Sequence, residues 1–295
     1  MNELLYHYAT GAGLLGMLKD YTKDTPNIKL WASHYMYMND PIEYEIGERI
    51  CTEIINKIET ELNIPEIYRV KNLVETPEYC NAINSYKRTS TGQSISPYLI
   101  SLSRSCDSLH MWDMYASNGN GIAIAFDRIK LLESNVHLKD CIYYQEGDGN
   151  ILAKIEKDIR EIYQELNMES PIIPKIIAAS NKGDNNLLYS RIHYIHTLIC
   201  LFIGIRIKAK AYDLENEVRI TPRKQEYTKI LFRDRKGIII PYIEYPIPFN
   251  CVENIIIGPT ADFIRVRESI LIFLNSKGIE WDTDKIIKSS VPYRF

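Results

Sequence analysis

Leu99-Ile100-Ser101-Leu102-Ser103-Arg104-Ser105 alternates apolar with small polar residues, the period-two pattern of a half-buried strand. Leu109-His110-Met111-Trp112-Asp113-Met114-Tyr115 follows as a helical turn or two, with Trp112 and Tyr115 three residues apart on one face. Ser117-Asn118-Gly119-Asn120-Gly121 ends that helix with residues that tolerate a positive φ. The chain then enters Ile122-Ala123-Ile124-Ala125-Phe126, an apolar run small enough for the middle of a sheet. A strand, an aromatic turn, a glycine corner and a second buried strand describe one wall of a ligand site. They equally describe an ordinary β-α-β core segment.

The composition around this stretch narrows the class. The chain has 295 residues, 45% hydrophobic and 25% charged, as in a globular protein of one large domain or two modest ones. A net charge of -3 lacks the basic footprint of general nucleic-acid binding. Local basic runs exist at Arg206, Lys208 and Lys210, and at Arg223, Lys224, Arg233, Arg235 and Lys236. Twenty-one tyrosines against seven phenylalanines favour polar pockets over greasy ones. The six cysteines form no C-x-x-C pair, which argues against structural zinc and a disulfide framework and fits a reducing compartment. The most apolar run, Thr197 to Ile207, is too short to span a bilayer, and no signal peptide is apparent. The expectation is a soluble cytoplasmic protein without a membrane partner.

In chain order, Leu4 to Tyr8 reads as a strand and Thr10 as the N-cap of a helix carrying Gly11, Gly13 and Gly16. Each helical glycine costs about 1 kcal/mol relative to alanine, so close packing or a ligand is implied there. Ile28 to Ser33 reads as a strand. Asp40, Pro41 and Glu43 form a capping box that starts a helix with isoleucines every four residues from Ile42 to Ile58. A weakly patterned polar helical stretch runs from Pro65 to Gln93, and a helical block from Ile151 to Ile207 is broken near Asn181-Lys182-Gly183-Asp184. Strands return at Cys141–Tyr144, Glu217–Ile220, Thr228–Phe232, Gly237–Tyr245, Val252–Ile257 and Asp284–Ser289. The charged run Arg233 to Lys236 reads as a hairpin turn, and Gly258-Pro259-Thr260 caps a helix to Ser276. Strands at both ends with helices between predict one α+β domain over residues 1–295, with helical insertions at about 42–93 and 150–210.

Several blocks carry a resemblance. Leu5-Tyr6-His7-Tyr8, Leu30-Trp31-Ala32-Ser33-His34, Asn39-Asp40-Pro41 with Glu43, and Ser101-Leu102-Ser103 open it. Trp112, Tyr115, Gly121, Ile124-Ala125-Phe126, Glu215-x-Glu217-Val218-Arg219, Ile256-Ile257-Gly258-Pro259-Thr260 and Val291-Pro292-Tyr293-Arg294 continue it in order. Together they resemble the bacterial domain-of-unknown-function family number 2971. Ala9 stands where that family usually has threonine, and Val218 where it usually has tryptophan. The arrangement is similar, at one further remove, to the ADP-ribosyltransferase superfamily: a histidine on the first strand, serines on a middle strand, and a late Glu-x-Glu. That similarity implies a split antiparallel or mixed sheet of ADP-ribosyltransferase-like type, with NAD as substrate in its cleft.

The implied chemistry is cleavage of the nicotinamide–ribose bond through an oxocarbenium-like state, which a carboxylate at the ribose stabilises as charge develops. Glu217 is the candidate for that role. Glu215, two residues earlier and about 7 Å away on a strand, would activate the acceptor nucleophile. His7 would hydrogen-bond the cofactor. Tyr8, Thr10, Tyr35, Ser101, Ser103, Trp112, Tyr115 and Arg219 complete the expected nucleotide-binding set, with Tyr37 as a further stacking aromatic. No metal is expected; Asn39, Asp40 and Glu43 serve the capping box, and His193 with His196 lacks an acidic companion at metal spacing. The acceptor is open: protein, nucleic acid, small molecule or water. Toxin or phage-defence action fits an enzyme of this kind. A non-catalytic nucleotide- or partner-sensing module of a defence system is the alternative, and Glu215-x-Glu217-x-Arg219 also reads as a solvated strand face.

Overall fold

Period-two alternation along the strands decides how this chain packs, because each strand sends isoleucine, leucine and valine to one face. The computed structural model describes residues 3–38, 43–66, 69–74, 98–169, 178, 196, 198–222, 229–235 and 237–292. Asn39 to Ile42, most of the Pro65–Gln93 stretch, Asn181 to Asp184, His193, Arg223, Lys224, Thr228, Lys236, Tyr293 and Arg294 lie outside the described residues. The side chain of Glu43 also lies outside them.

The chain forms two compact units. Residues 1–37, 98–141 and 211–295 make the first; residues 38–97 and 142–210 make the second. The expected insertions at about 42–93 and 150–210 both fall in the second unit. The fold is mixed α+β. Its strands are β1 (Leu4–Ala9), β2 (Asn27–His34), β3 (Tyr98–Ser103), β4 (Ile122–Asp127), β5 (Leu138–Asp140), β6 (Ile142–Tyr144), β7 (Ile207–Ala209), β8 (Glu217–Ile220), β9 (Leu231–Arg235), β10 (Ile238–Pro248), β11 (Val252–Ile257) and β12 (Ile286–Lys288).

Ten of them build the sheet of the first unit, in the order β12-β11-β4-β1-β3-β2-β10-β9, with β8 on β3 and β5 on β8. Pairing is antiparallel throughout except between β11 and β12. Strand β3 serves three neighbours with two edges: β2 at Tyr98 and Leu99, β1 at Ser103, and β8 along Ile100 to Ser103. One face carries Leu5, Ile100, Leu102, Ile124, Phe126, Val218 and Ile220, and holds the main core with Leu14, Met17 and Leu18 of the helix Gly11–Met17 and its cap, and with Ile270 and Leu274 of the helix Phe263–Ser276. The opposite face packs Tyr6, Tyr8, Ala123 and Ala125 against Met111 and Trp112 of the helix Leu109–Tyr115.

The turn before β4 forms as its residues require. Ser117, Asn118 and Gly119 take φ of 51°, 53° and 80° in succession, after which Ile122 enters the sheet. Of the early glycines, Gly11 is open, whereas a Cβ on Gly16 would lie 2.2 Å from the Trp31 ring, so packing accounts for the latter. Two boundaries differ from expectation. The charged run read as a hairpin turn is strand: β9 continues through Arg233, Asp234 and Arg235, paired residue by residue with β10, and the reversal comes at Gly237 with φ 81°. The last long helix begins at Phe263 on an Asp262 cap that accepts from Arg265 N, two residues beyond the expected cap ending at Thr260.

The second unit packs the helices Glu43–Glu61 and Gly149–Glu169 with β6 and β7 around Ile50, Ile55, Ile155, Ile159, Ile203 and Ile207. Within it Gly47 meets Gly204 closely, and a Cβ there would sit 2.1 Å from the Gly204 carbonyl oxygen. Helix propensity alone favours Gly47→Ala by about 1 kcal/mol. The clash with a fixed backbone oxygen reverses the sign, and a net loss of about 2 kcal/mol is expected from the overpacking. Thermal denaturation decides it: a melting temperature equal to or above that of the natural chain would refute the close contact.

Candidate functional site

The acidic end of the site is built by β8 and the turn before it. Asn216 has φ 43°, so the chain changes course between the two glutamates. Glu215 closes a 3-10 turn, Lys210–Glu215, instead of lying on the strand, and the expected same-face strand spacing does not hold. Both acids are nonetheless drawn to Ser103. Glu217 is its direct cross-strand partner, and the Ser103 hydroxyl donates to the Glu215 carbonyl at 2.6 Å. The Tyr115 hydroxyl donates to Glu215 Oε1 at 2.5 Å. Ser101 lies opposite Arg219, so Ser101, Ser103, Glu217 and Arg219 project from the same face of the sheet, together with Tyr6 across from Ser103.

Arg219 and Glu217, i and i+2 on one strand, form a fork. Nε meets Oε1 and Nη2 meets Oε2, each at 3.0 Å, with the side chains 1% and 3% exposed. The low local dielectric strengthens this pair while making either charge costly alone. The Cys141 thiol approaches Glu217 Oε2 at 3.5 Å.

His7 does not join this cluster. It pairs with Ile124 across β1 and β4, whereas Tyr6 pairs with Ser103, and Ser103 with Glu217. Successive strand residues point to opposite faces, so His7 and Glu217 leave the sheet on opposite sides. The expected meeting of imidazole and acid around one sugar is corrected by this parity. His7 Nδ1 lies 3.1 Å from the Ser101 carbonyl oxygen, which can only accept, so Nδ1 carries the proton. Burial, with the positive field of Arg233 added, holds the His7 pKa below its usual value despite that bond. The ring is therefore neutral at pH 7.

The remaining expected ligand contacts divide clearly. Trp112 is fully buried, its indole N–H donates to Asp107 at 2.8 Å, and Tyr8 meets it edge-on at 4.9 Å; it is a packing residue, not a stacking platform. Tyr8 donates to the Ser105 carbonyl at 2.9 Å and accepts from Ser108 N at 3.1 Å, and burial pushes its phenol up to about 12. Thr10 caps its short helix by accepting from Gly13 N at 3.1 Å. Tyr35 sits in the 3-10 turn after β2, its ring 4.8 Å from that of His34. Structure thus brings together Ser101, Ser103, Tyr115, Glu215, Glu217 and Arg219, packs Tyr8 and Trp112 into the apolar cluster of the same sheet face, and sets Thr10, Tyr35 and His7 apart.

A second polar group on the same face had no clear sequence signal. Ser33 pairs with Leu99 and with Tyr242, and Arg233 reaches across from β9 to Ser33 Oγ at 2.7 Å. Reading Arg233 to Lys236 as a turn concealed it, because only strand pairing aims Arg233 inward. Among the described residues no group of three or more His, Cys, Asp or Glu is placed to hold a metal, and no helix is long and apolar enough to cross a membrane.

Comparison with known proteins gives one likeness. Residues 111–220, from the helix bearing Trp112 and Tyr115 to the end of β8, match the model of a family described as "Protein of unknown function (DUF2971)". No curated protein and no solved structure matches the chain.

Proposed function

Over residues 111–220 the chain belongs to the DUF2971 family, and from that premise we propose that it is an NAD-consuming enzyme of ADP-ribosyltransferase-like type. The observation that carries the reading is the gathering beside Ser103 of Glu217 and Arg219 from one sheet face, Glu215 from the turn before that strand, and Tyr115 from a helix. The divided service of β3 to three strands supports a split sheet of that type.

In this reading Glu217 lies beside the ribose and exchanges one Arg219 bond for the 2′-hydroxyl, adding negative charge as the oxocarbenium forms. The C1′–N bond breaks with its electron pair passing to the nicotinamide ring. Glu215, oriented by Tyr115, takes the proton of the oxygen that attacks C1′, from water or an acceptor hydroxyl. Arg219 holds both oxygens of Glu217 in place between turnovers.

Nicotinamide release from NAD by the full chain tests this, read beside NAD binding by calorimetry. Turnover in the natural chain and its loss by at least a hundredfold in Glu217→Gln are expected, with the circular dichroism of the folded state retained. Glu215→Gln provides a second variant should Glu217→Gln fail to fold. Absence of turnover in the natural chain overturns the enzymatic reading.

One observation favours a second reading, a nucleotide-sensing module of a defence system. Both oxygens of Glu217 are engaged by Arg219 in a buried pair, an arrangement that binds and orients without needing chemistry. NAD or ADP-ribose binding without nicotinamide release is its signature.

A further inference from the structure

Arg233 is a cation in an unusual setting. Its guanidinium carbon lies 5.3 Å over the Trp31 ring and 5.6 Å over that of Tyr242, and its Nη2 donates to Ser33 Oγ at 2.7 Å. Its Nε is buried without a hydrogen-bond partner, and no carboxylate among the described residues pairs with it. The indole N–H of Trp31 is likewise buried and unpartnered. The nearest carboxylate in register, Glu244 opposite Trp31, is held by Lys19 at 2.5 Å and Lys29 at 3.3 Å.

Aromatic faces stabilise a guanidinium only modestly and do not replace the solvent or counter-ion removed by partial burial. Burial and the like charge of Arg235 both press against the Arg233 charge. His7, neutral at pH 7, adds none of its own. The missing element is an acceptor-rich anion, and a planar fork of N–H groups suits phosphate oxygens best.

We propose that Arg233, with Ser33 and the rings of Trp31 and Tyr242, forms an anion subsite for the phosphate or diphosphate group of a nucleotide. Its position fits such a ligand. Ser33 pairs with Leu99 and Glu217 with Ser103, so the two ends lie on the same face, four residues of β3 apart. The inference rests on the nucleotide-binding reading and adds the phosphate end to its sugar end.

Inorganic pyrophosphate and ADP are titrated into the full chain by calorimetry at constant ionic strength, with adenosine as the phosphate-free arm. Saturable binding of pyrophosphate and ADP is expected, with adenosine much weaker. Arg233→Gln is expected to weaken both phosphate ligands at least tenfold. Arg233→Lys recovers only part of the loss, because it keeps the charge and loses the fork. Arg265→Gln, on a helix of the same unit with its side chain 87% exposed, controls for net charge and leaves binding unchanged. Non-saturable binding by the natural chain, or equal binding by Arg233→Gln and Arg265→Gln, overturns the subsite. The outcomes separate the two proposals. Pyrophosphate binding lost in Arg233→Gln but no NAD turnover refutes only the transferase. Turnover with unchanged affinity in Arg233→Gln refutes only the subsite.

Discussion

Arg219→Met is expected to destabilise the protein by about 3–5 kcal/mol, more than the loss expected at the close Gly47 contact. The replacement removes the guanidinium that holds both oxygens of Glu217 inside the sheet, and leaves that carboxylate charge in a poorly solvating place. The double variant Glu217→Gln/Arg219→Met removes both charges together. It is expected to cost clearly less than the sum of the single changes, by about 2 kcal/mol or more of coupling. Urea denaturation of the four proteins measures the cycle. A loss below about 1 kcal/mol in Arg219→Met, or strict additivity, would show that the pair is solvated and contributes little. The cycle also bears on function, since a strongly coupled pair must be opened at a cost if Glu217 is to touch a ribose.

Glu59 provides the second large effect, as a pH dependence. It is 3% exposed in the second unit, where Val70 N donates to Oε2 at 2.8 Å and the Tyr163 hydroxyl to Oε1 at 2.9 Å. Burial outweighs those bonds and pushes the carboxyl up to about 7 from 4.5. Below about pH 4.5 the group is protonated folded and unfolded alike. Between about 4.5 and 7 the folded state keeps a proton that the unfolded state has released, so stability falls as the pH rises. The accumulated loss above pH 7 is of order 3 kcal/mol. Glu59→Gln keeps an acceptor for Val70 N and removes the titration. The variant is expected to be more stable than the natural chain at pH 8 and to lose that advantage near pH 4.5, read as urea midpoints across the range. A difference independent of pH would contradict a raised carboxyl.

Much of the fold is legible where local pattern and burial agree. Ile122 to Phe126 is apolar at every position and becomes a central strand, fully buried between β1 and β11. Val252 to Ile257 and Glu217 to Ile220 form strands with the expected bounds. Thr10 caps its helix as its residue type implies, while Asp127 and Asp262 supply two further caps by the same chemistry. Period two also places Glu217 and Arg219 on one face, which chain chemistry alone makes a natural ion pair.

What the sequence by itself determined is therefore local: which segments extend, where positive-φ residues reverse the chain, and which neighbours on a strand share a side. Tertiary structure alone decided which side each strand shows to the others. One residue of register separates His7 from the acid cluster, the positive φ of Asn216 takes Glu215 off the strand, and pairing with β10 turns a charged run into an edge strand with Arg233 over Trp31. The physical reason is that side-chain direction in a sheet follows from cross-strand hydrogen bonding between segments as many as two hundred residues apart, and no local pattern carries that register.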